Sequence, residues 1–395
     1  MRGQDRRAAA RHDVQVPEHR RSEHLSALDS AVDLEARFSR DYADARARFL
    51  AACAFLRGRH RAYLNSHRGP RGEQLATDAA WFGPEEAAKV LVLVSATHGV
   101  EGFCGSGAQL DWLLGPGCSE LAPDMALLVV HAINPHGFAW LRRVTEEGCD
   151  LNRNFVDFAK PLPTNAGYDE LAAEWLPPQL QGPEYEQAES KIREYRAKRG
   201  EKAYMEARSG GQWKHPHGFF YGGAAPTWSR RTLEAIIAEE KLARRRCVAV
   251  IDYHTGLGPH GYGEPICGHE PGTRSLEVAR RWYGDSLTIP SLGTSSSVVK
   301  QGLAEHGWRR LLGDRFVYVA LEYGTYPPEA VRRAMQEDHW YHRRGAVDWD
   351  SAEVQRAKQA LKHHYYPGTR DWQEMVLFRS RQIIRQALAG LAGEG

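Results

Sequence analysis

The stretch "KVLVLVSATHGVEGF", residues 89–103, decides how the chain folds. Its first half is a continuous apolar run rich in valine, the pattern of a strand buried on both faces of a sheet. Its second half breaks into glycines around His98 and Glu101, three residues apart. Such a strand end is either an ordinary turn or half of a metal site. HxxE alone does not decide, because two common residues recur at that spacing by chance.

The surrounding sequence supplies the sheet. "GSGAQLDWLL" reads as a helix closed by "GPG". "DMALLVVHAINP" (124–135) is a second buried strand, stopped at Asn134-Pro135. Strand, helix and strand in alternation predict an α/β fold with a mostly parallel sheet and helices on its faces. Two more buried strands follow: "RRCVAVIDYHTG" (245–256), which ends on His254, and "DRFVYVALEYGTYP" (314–327), which carries Glu322. Residues 31–57 have apolar positions at helical spacing among charges, the signature of a surface helix. The tail "DWQEMVLFRSRQIIRQALAGLAG" has the same periodicity and closes the domain. Between the second and third strands, "EYEQAESKIREYRAKRGEKAYMEARSGG" reads as a solvated helix inserted between core elements. The loop after it, with "YGGAAPTWSRRTL", either shapes a pocket or covers the sheet edge.

Composition excludes several classes. Hydrophobic residues make up 42 % and charged residues 26 %, a globular balance. The net charge of +2 gives no nucleic-acid surface. No apolar run approaches the roughly 20 residues a membrane span needs. The six cysteines show no CxxC pairing, against a zinc ribbon or a disulfide framework. Cys104, close to the opening motif, is expected as a buried structural thiol. Residues 1–30 are Arg-rich and are expected to form a flexible extension, with residues 31–395 a single domain. Without an export signal the expected location is the cytoplasm.

Four features coincide at strand ends, where sites form in open α/β sheets. His98 and Glu101 follow one strand, His254 follows another, and Glu322 closes a third. Two imidazoles and a carboxylate are a catalytic zinc set that leaves a coordination position for water. Glu322, as a second carboxylate, is the candidate general base. Gly99 and Gly102 are expected to permit a tight turn that aims His98 and Glu101 at one ion. "GCDLNRNF" (148–155) adds Asn152 and Arg153, donors matched to a substrate carboxylate. Arg142 and Arg143 are alternative cations for a developing oxyanion. Ser106 lacks the flanking glycines of a nucleophile elbow, since Cys104 and Ala108 stand there.

In this order, "HGVE", "NPHGFAWLRR", "DLNRNF", "DYHTG" and "LEYGT" resemble the zinc carboxypeptidase superfamily. The phrases match almost word for word a bacterial branch known mainly as a domain of unknown function. The resemblance covers about residues 37 to 390. It implies a mixed, mostly parallel eight-stranded sheet with helices on both faces. It implies one Zn2+ held by His98, Glu101 and His254, with Glu322 catalytic. It also implies that Asn152 and Arg153 bind the substrate's carboxylate, and that Arg143, or else Arg142, stabilises the oxyanion. A lid tyrosine has only Tyr262 and Tyr326 as candidates. The implied activity is hydrolysis of an amide or peptide bond in a small-molecule or peptide substrate with a free carboxylate. The alternatives are an N-acyl amino acid deacylase of the aspartoacylase type and a metal- or ligand-binding protein without catalysis.

Overall fold

The computed structural model describes residues 33–115, 117–345 and 347–394. The flexible extension expected over residues 1–30 lies outside them. The strands are β1 (Arg59–Arg68), β2 (Gln74–Phe82), β3 (Lys89–Val94), β4 (Met125–His131), β5 (Cys247–His260), β6 (Gly263–Ile266) and β7 (Phe316–Gly324). The longer helices are α1 (Tyr42–Phe55), α2 (Gly102–Leu114), α3 (Pro183–Arg199), α4 (Glu201–Ser209) and α5 (Trp228–Glu239). They continue with α6 (Arg274–Tyr283), α7 (Ala304–Leu312), α8 (Pro328–His342), α9 (Ala352–Tyr365) and α10 (Arg370–Gly393).

The strands form one sheet in the order β1-β2-β4-β3-β5-β7-β6. Its centre, β4-β3-β5-β7, is parallel, and the flanking pairings are antiparallel. The fold is thus the mixed α/β class expected, with seven strands among the described residues where eight were implied.

Alternation along the strands explains why both faces are covered. Leu91 and Leu93 of β3 join Leu127, Ile251 and Val319 in a core with α2, α6 and α10. Val90, Val92 and Val94 point the other way and pack with Val250, Ile236 of α5 and Trp308 of α7. A third cluster lies beyond the strand ends, where Val100 and Phe138 meet Trp175, Ile192, Tyr204 and helices α8 and α9. The edge strand β1 is mostly exposed and carries Arg59, His60, Arg61 and Arg68, charges that disfavour pairing with another sheet.

Two expectations for helices change. The helix read over 31–57 is broken: Asp33 caps a short turn, and Asp41 caps α1 afresh by accepting from the Asp44 amide. The inserted helix divides at Gly200, whose φ is +85°. Its α3 and α4 halves are not merely solvated, since Ile192, Tyr195 and Tyr204 are buried.

The topology decides where a site can form. The chain passes from β3 to β4 on one side, then returns to place β5 on the other side of β3. That reversal opens a crevice at the carboxyl ends of β3 and β5. Leu93→Ala should cost about 2–5 kcal/mol of unfolding free energy, as a truncation in a closed core. Leu64→Ala on the exposed edge should change it by less than about 0.5 kcal/mol. Urea denaturation of the two variants checks the contrast.

Candidate metal centre

β3 hands over to the site through a strained corner. Ala96 has φ +61°, a left-handed conformation uncommon outside glycine. His98 then caps a single 3-10 turn, Gly99–Glu101, which runs directly into α2. The glycines serve a different purpose from the one expected. Gly102 is ordinary right-handed helix, with φ −57°. A Cβ on Gly99 would stand 2.0 Å from the Gly137 carbonyl carbon, and one on Gly102 would stand 2.7 Å from the Phe138 ring. The glycines let the segment after β4 press against the turn, while Ala96 takes the unusual dihedral.

Three side chains meet in the crevice. His98 Nδ1 lies 3.0 Å from Glu101 Oε1 and 3.2 Å from His254 Nδ1. His254 Nδ1 lies 3.3 Å from Glu101 Oε2. All three residues are buried and form the candidate metal-ligand group found among the described residues. Tetrahedral zinc with ligands at about 2.0–2.1 Å requires ligand atoms about 3.3–3.4 Å apart. The observed separations, taken to a different oxygen of Glu101 for each histidine, lie close to that spacing, and both histidines present the same ring nitrogen to the common centre.

The far side of each ring meets a carboxylate. His98 Nε2 is 3.0 Å from Asp150 Oδ1, and His254 Nε2 is 3.2 Å from Asp252 Oδ2. The first is an aligned hydrogen bond, and the second is an ion-pair contact short of hydrogen-bond alignment. Carboxylates placed this way fix ring orientation and tautomer in metal sites. Asp252 is itself held by the Thr97 and Tyr318 hydroxyls, each 2.8 Å away. Arg143 ties the group together: Nη1 donates to Glu101 at 2.7 Å and Nε donates to Asp150 at 3.1 Å. Its Nη2 also lies 2.8 Å from His98 Nε2. That nitrogen can accept from Arg143 or donate to Asp150, but not both.

Electrostatics follow from this crowding. Burial alone would lower the pKa of His254, but Asp252 and Glu101 outweigh it and push the imidazole up to about 10. Burial works against ionisation of Glu101 and Asp150 too, yet the charges of His98 and Arg143 hold both below the usual carboxylate range.

Glu322 sits beside His254 in the β5–β7 register. It accepts the Leu257 amide at 3.1 Å and lines a cavity of about 190 Å³ shared with His98, His254, Asn152 and Arg153. Burial, joined by Glu101, pushes its carboxyl up to about 7, against the pull of His254 and Lys300. Arg153 is buried under Phe220. It donates to the Ser209 carbonyl from Nε and Nη2, and to the Asn152 carbonyl from Nη1. Three bonds leave two of its five N–H groups uncommitted. Asn152 Oδ1 accepts the Ala304 amide at 2.7 Å.

Some expected residues are not brought here. Arg142 turns away from the cavity and pairs with buried Asp338 at 3.0 Å, so it is not placed to bind substrate. Its neighbour Arg143 faces the cluster instead, paired with Glu101 and Asp150. Tyr262 is exposed near Arg379, and Tyr326 packs on His363. The tyrosines on the cavity wall are Tyr365, at the end of α9, and Tyr318 of β7. The "YGGAAPTWSRRTL" loop braces "DLNRNF" instead of forming the cavity's main wall. Tyr221 O accepts the Asp150 amide at 2.8 Å, and Asn154 Nδ2 donates to the Gly222 and Ala225 carbonyls. Phe219 and Phe220, just before it, line the cavity. Cys104 is fully buried, as expected, and burial raises its thiol well above the usual range.

Sequence reasoning passed over Asp252, Tyr365, Arg208 and Lys300. Only Asp252 carried a signal, since it stands two residues before His254 and so faces the same side of the strand.

A family model described as a protein of unknown function, DUF2817, matches residues 38–379. The chain belongs to the DUF2817 family. This is the branch of unknown function that the quoted phrases led us to expect. No curated protein matches it in sequence. The carboxypeptidase A of Helicoverpa armigera is 12 % identical, with a TM-score of 0.45, over 94 % of this chain and 81 % of its own. Bovine thrombin-activatable fibrinolysis inhibitor, solved with a tick carboxypeptidase inhibitor, is 11 % identical, with a TM-score of 0.43, over 85 % and 99 %. An aspartoacylase family protein of Mesorhizobium loti is 13 % identical, with a TM-score of 0.35, over 74 % and 68 %. Likenesses this distant leave the function of this DUF2817 member to be argued from its own site. No helix among the described residues is long and apolar enough to cross a membrane.

Asp150→Asn and Asp252→Asn should each weaken zinc binding about 10–100-fold, because each removes the charge that orients a ligand ring. Competition against a chromophoric chelator measures the affinity, with thermal melting to confirm folding. Unchanged affinity in both variants would contradict the orienting role.

Proposed function

We propose that the protein is a zinc-dependent hydrolase that cleaves an amide or peptide bond in a small substrate bearing a free carboxylate. The observation that carries this reading is the juxtaposition of the His98–Glu101–His254 group with Glu322 at one cavity, which both histidines and Glu322 line. Zinc, when bound by the three ligands, supplies a Lewis acid that acidifies water and polarises a carbonyl.

The chain's own residues account for the rest. The two free N–H groups of Arg153, with Asn152 beside them, receive the substrate's carboxylate and fix the scissile bond's position. Arg143 offers positive charge to the oxyanion, buffered by Glu101 and Asp150. Glu322 removes the proton from the attacking water and delivers it to the leaving nitrogen as the C–N bond breaks. A carboxyl pushed up to about 7 is suited to both transfers. Phe219 and Phe220 add apolar lining that disfavours bulk water beside the reacting groups.

The cavity's small volume favours an acyl amino acid or a short peptide, so the deacylase alternative stays beside the carboxypeptidase-like one. Both share the metal, the base and the carboxylate clamp. A purely metal-binding role gives no account of Glu322, a carboxylate held near neutral pKa outside the ligand set.

Glu322→Gln should abolish turnover of a panel of N-acyl amino acids and dipeptides while one zinc per chain is retained. A fully active variant would remove the base from the mechanism. The pH profile has a defined sign. Glu322 works deprotonated, so kcat/KM should climb with pH through an acid limb at or below about 7. Bound positive charge moves that limb downward, and a limb well above that value would contradict the assignment.

A further inference from the structure

Three cations meet on one wall of the cavity: Arg153, Arg208 of α4, and Lys300. Hydrogen bonds stitch their segments together. The Gln301 amide donates to the Gly210 carbonyl at 3.0 Å, the Phe155 amide to the Gly302 carbonyl at 3.0 Å, and Arg153 to the Ser209 carbonyl at 2.8 Å. Among the described residues, none of the three cations has a well-made carboxylate bond. The Asp150 oxygen beside Arg153 is 3.9 Å away. Lys300 donates to a neutral acceptor, the Ser297 hydroxyl. Arg208 is only 7 % exposed, yet its Nε and Nη1 have no hydrogen-bond partner. Its Nη1 is 3.5 Å from Glu329 Oε1, a carboxylate that already accepts from Tyr204 and Arg332 at 2.8 Å each.

Buried, unpaired guanidinium N–H groups are costly and persist where a ligand completes them. The carboxylate assigned to Arg153 and Asn152 leaves Arg208 and Lys300 without one. Burial and the charge of Arg153 hold the Lys300 ammonium down to about 7, so an arriving anion would also restore its charge. The remaining lining mixes apolar side chains, Ile266 and Leu303 among them, with polar ones that include Glu305 and His306.

We propose that this wall binds a second anionic group, so that the substrate is an amide of a dicarboxylic amino acid. One carboxylate lies on Arg153 and Asn152 and the other on Lys300 and Arg208. The bond cleaved rests on the hydrolase reading above, but the binding described here does not require turnover.

Calorimetric titration of the full chain with glutarate and with butyrate separates the two ideas. Glutarate should bind at least about tenfold more tightly, the gain expected from charge-assisted bonds to a second carboxylate. Lys300→Met and Arg208→Met should each bring the two affinities closer together. Lys300 is on a partly exposed loop, so its variant tests the idea even where Arg208→Met fails to fold. Equal affinities in the unmodified chain, or a glutarate preference untouched by Lys300→Met, would overturn the assignment. Faster cleavage of N-acetylglutamate than N-acetylglutamine would support it with an acyl amide as the source. Faster cleavage of Ala-Glu than Ala-Gln would support it with a peptide. Glutarate preference in a chain that cleaves no amide would preserve this assignment and sink the hydrolase reading, and cleavage without that preference would do the reverse.

Discussion

Two imidazole nitrogens and a carboxylate, in contact at 3.0–3.3 Å and shut off from bulk water, can coexist only with positive charge among them. A proton on His254 meets that need in the chain by itself, which is why its pKa is pushed up to about 10. A dication meets it better, because it satisfies all three lone pairs at once. Much of the nearby architecture follows from this. Asp150 and Asp252 stand behind the rings, Arg143 bridges Glu101 to Asp150, and Thr97 and Tyr318 fix Asp252. Removal of one partner would leave another buried charge exposed to its neighbours without compensation.

The sheet makes such a cluster possible. β3 and β5 are adjacent and parallel, so His98 and His254 leave their strands at the same end of the sheet. β7 continues the register and puts Glu322 next to His254. The rigid core fixes three of the four groups on strands or immediately after them, so the site depends little on loop mobility. The inserted α3–α4 segment and the stretch around Lys300 close over this frame. They add cations, and Phe219 and Phe220 add aromatic rings, where the strands themselves supply acid and imidazole. On the proposed reading, the chemistry lies in the frame and the choice of substrate in the cover.

That division also explains what could be read from the sequence. Buried parallel strands declare themselves by continuous valine and leucine runs, so β3, β4, β5 and β7 were legible with their end residues. β1 and β2 were not, because β1 is a polar, exposed edge and β2 mixes alanine with Asp78. The roles of Gly99 and Gly102 were misjudged, since a close approach by Gly137 and Phe138 leaves no trace in local sequence. Arg142 and Arg143 could not be told apart until Asp338, almost 200 positions away, was seen to hold the first. Arg208 and Lys300 are two among 52 basic residues, and only their place on the cavity wall distinguishes them.

The central claim is that His98, Glu101 and His254 hold zinc through nitrogen and oxygen alone. X-ray absorption at the zinc edge of the purified full chain tests it most directly. A first shell of light atoms at about 2.0–2.1 Å, including two imidazoles, is the expected result. A sulfur shell at about 2.3 Å, or a light-atom shell that His254→Ala leaves unaltered, would contradict it.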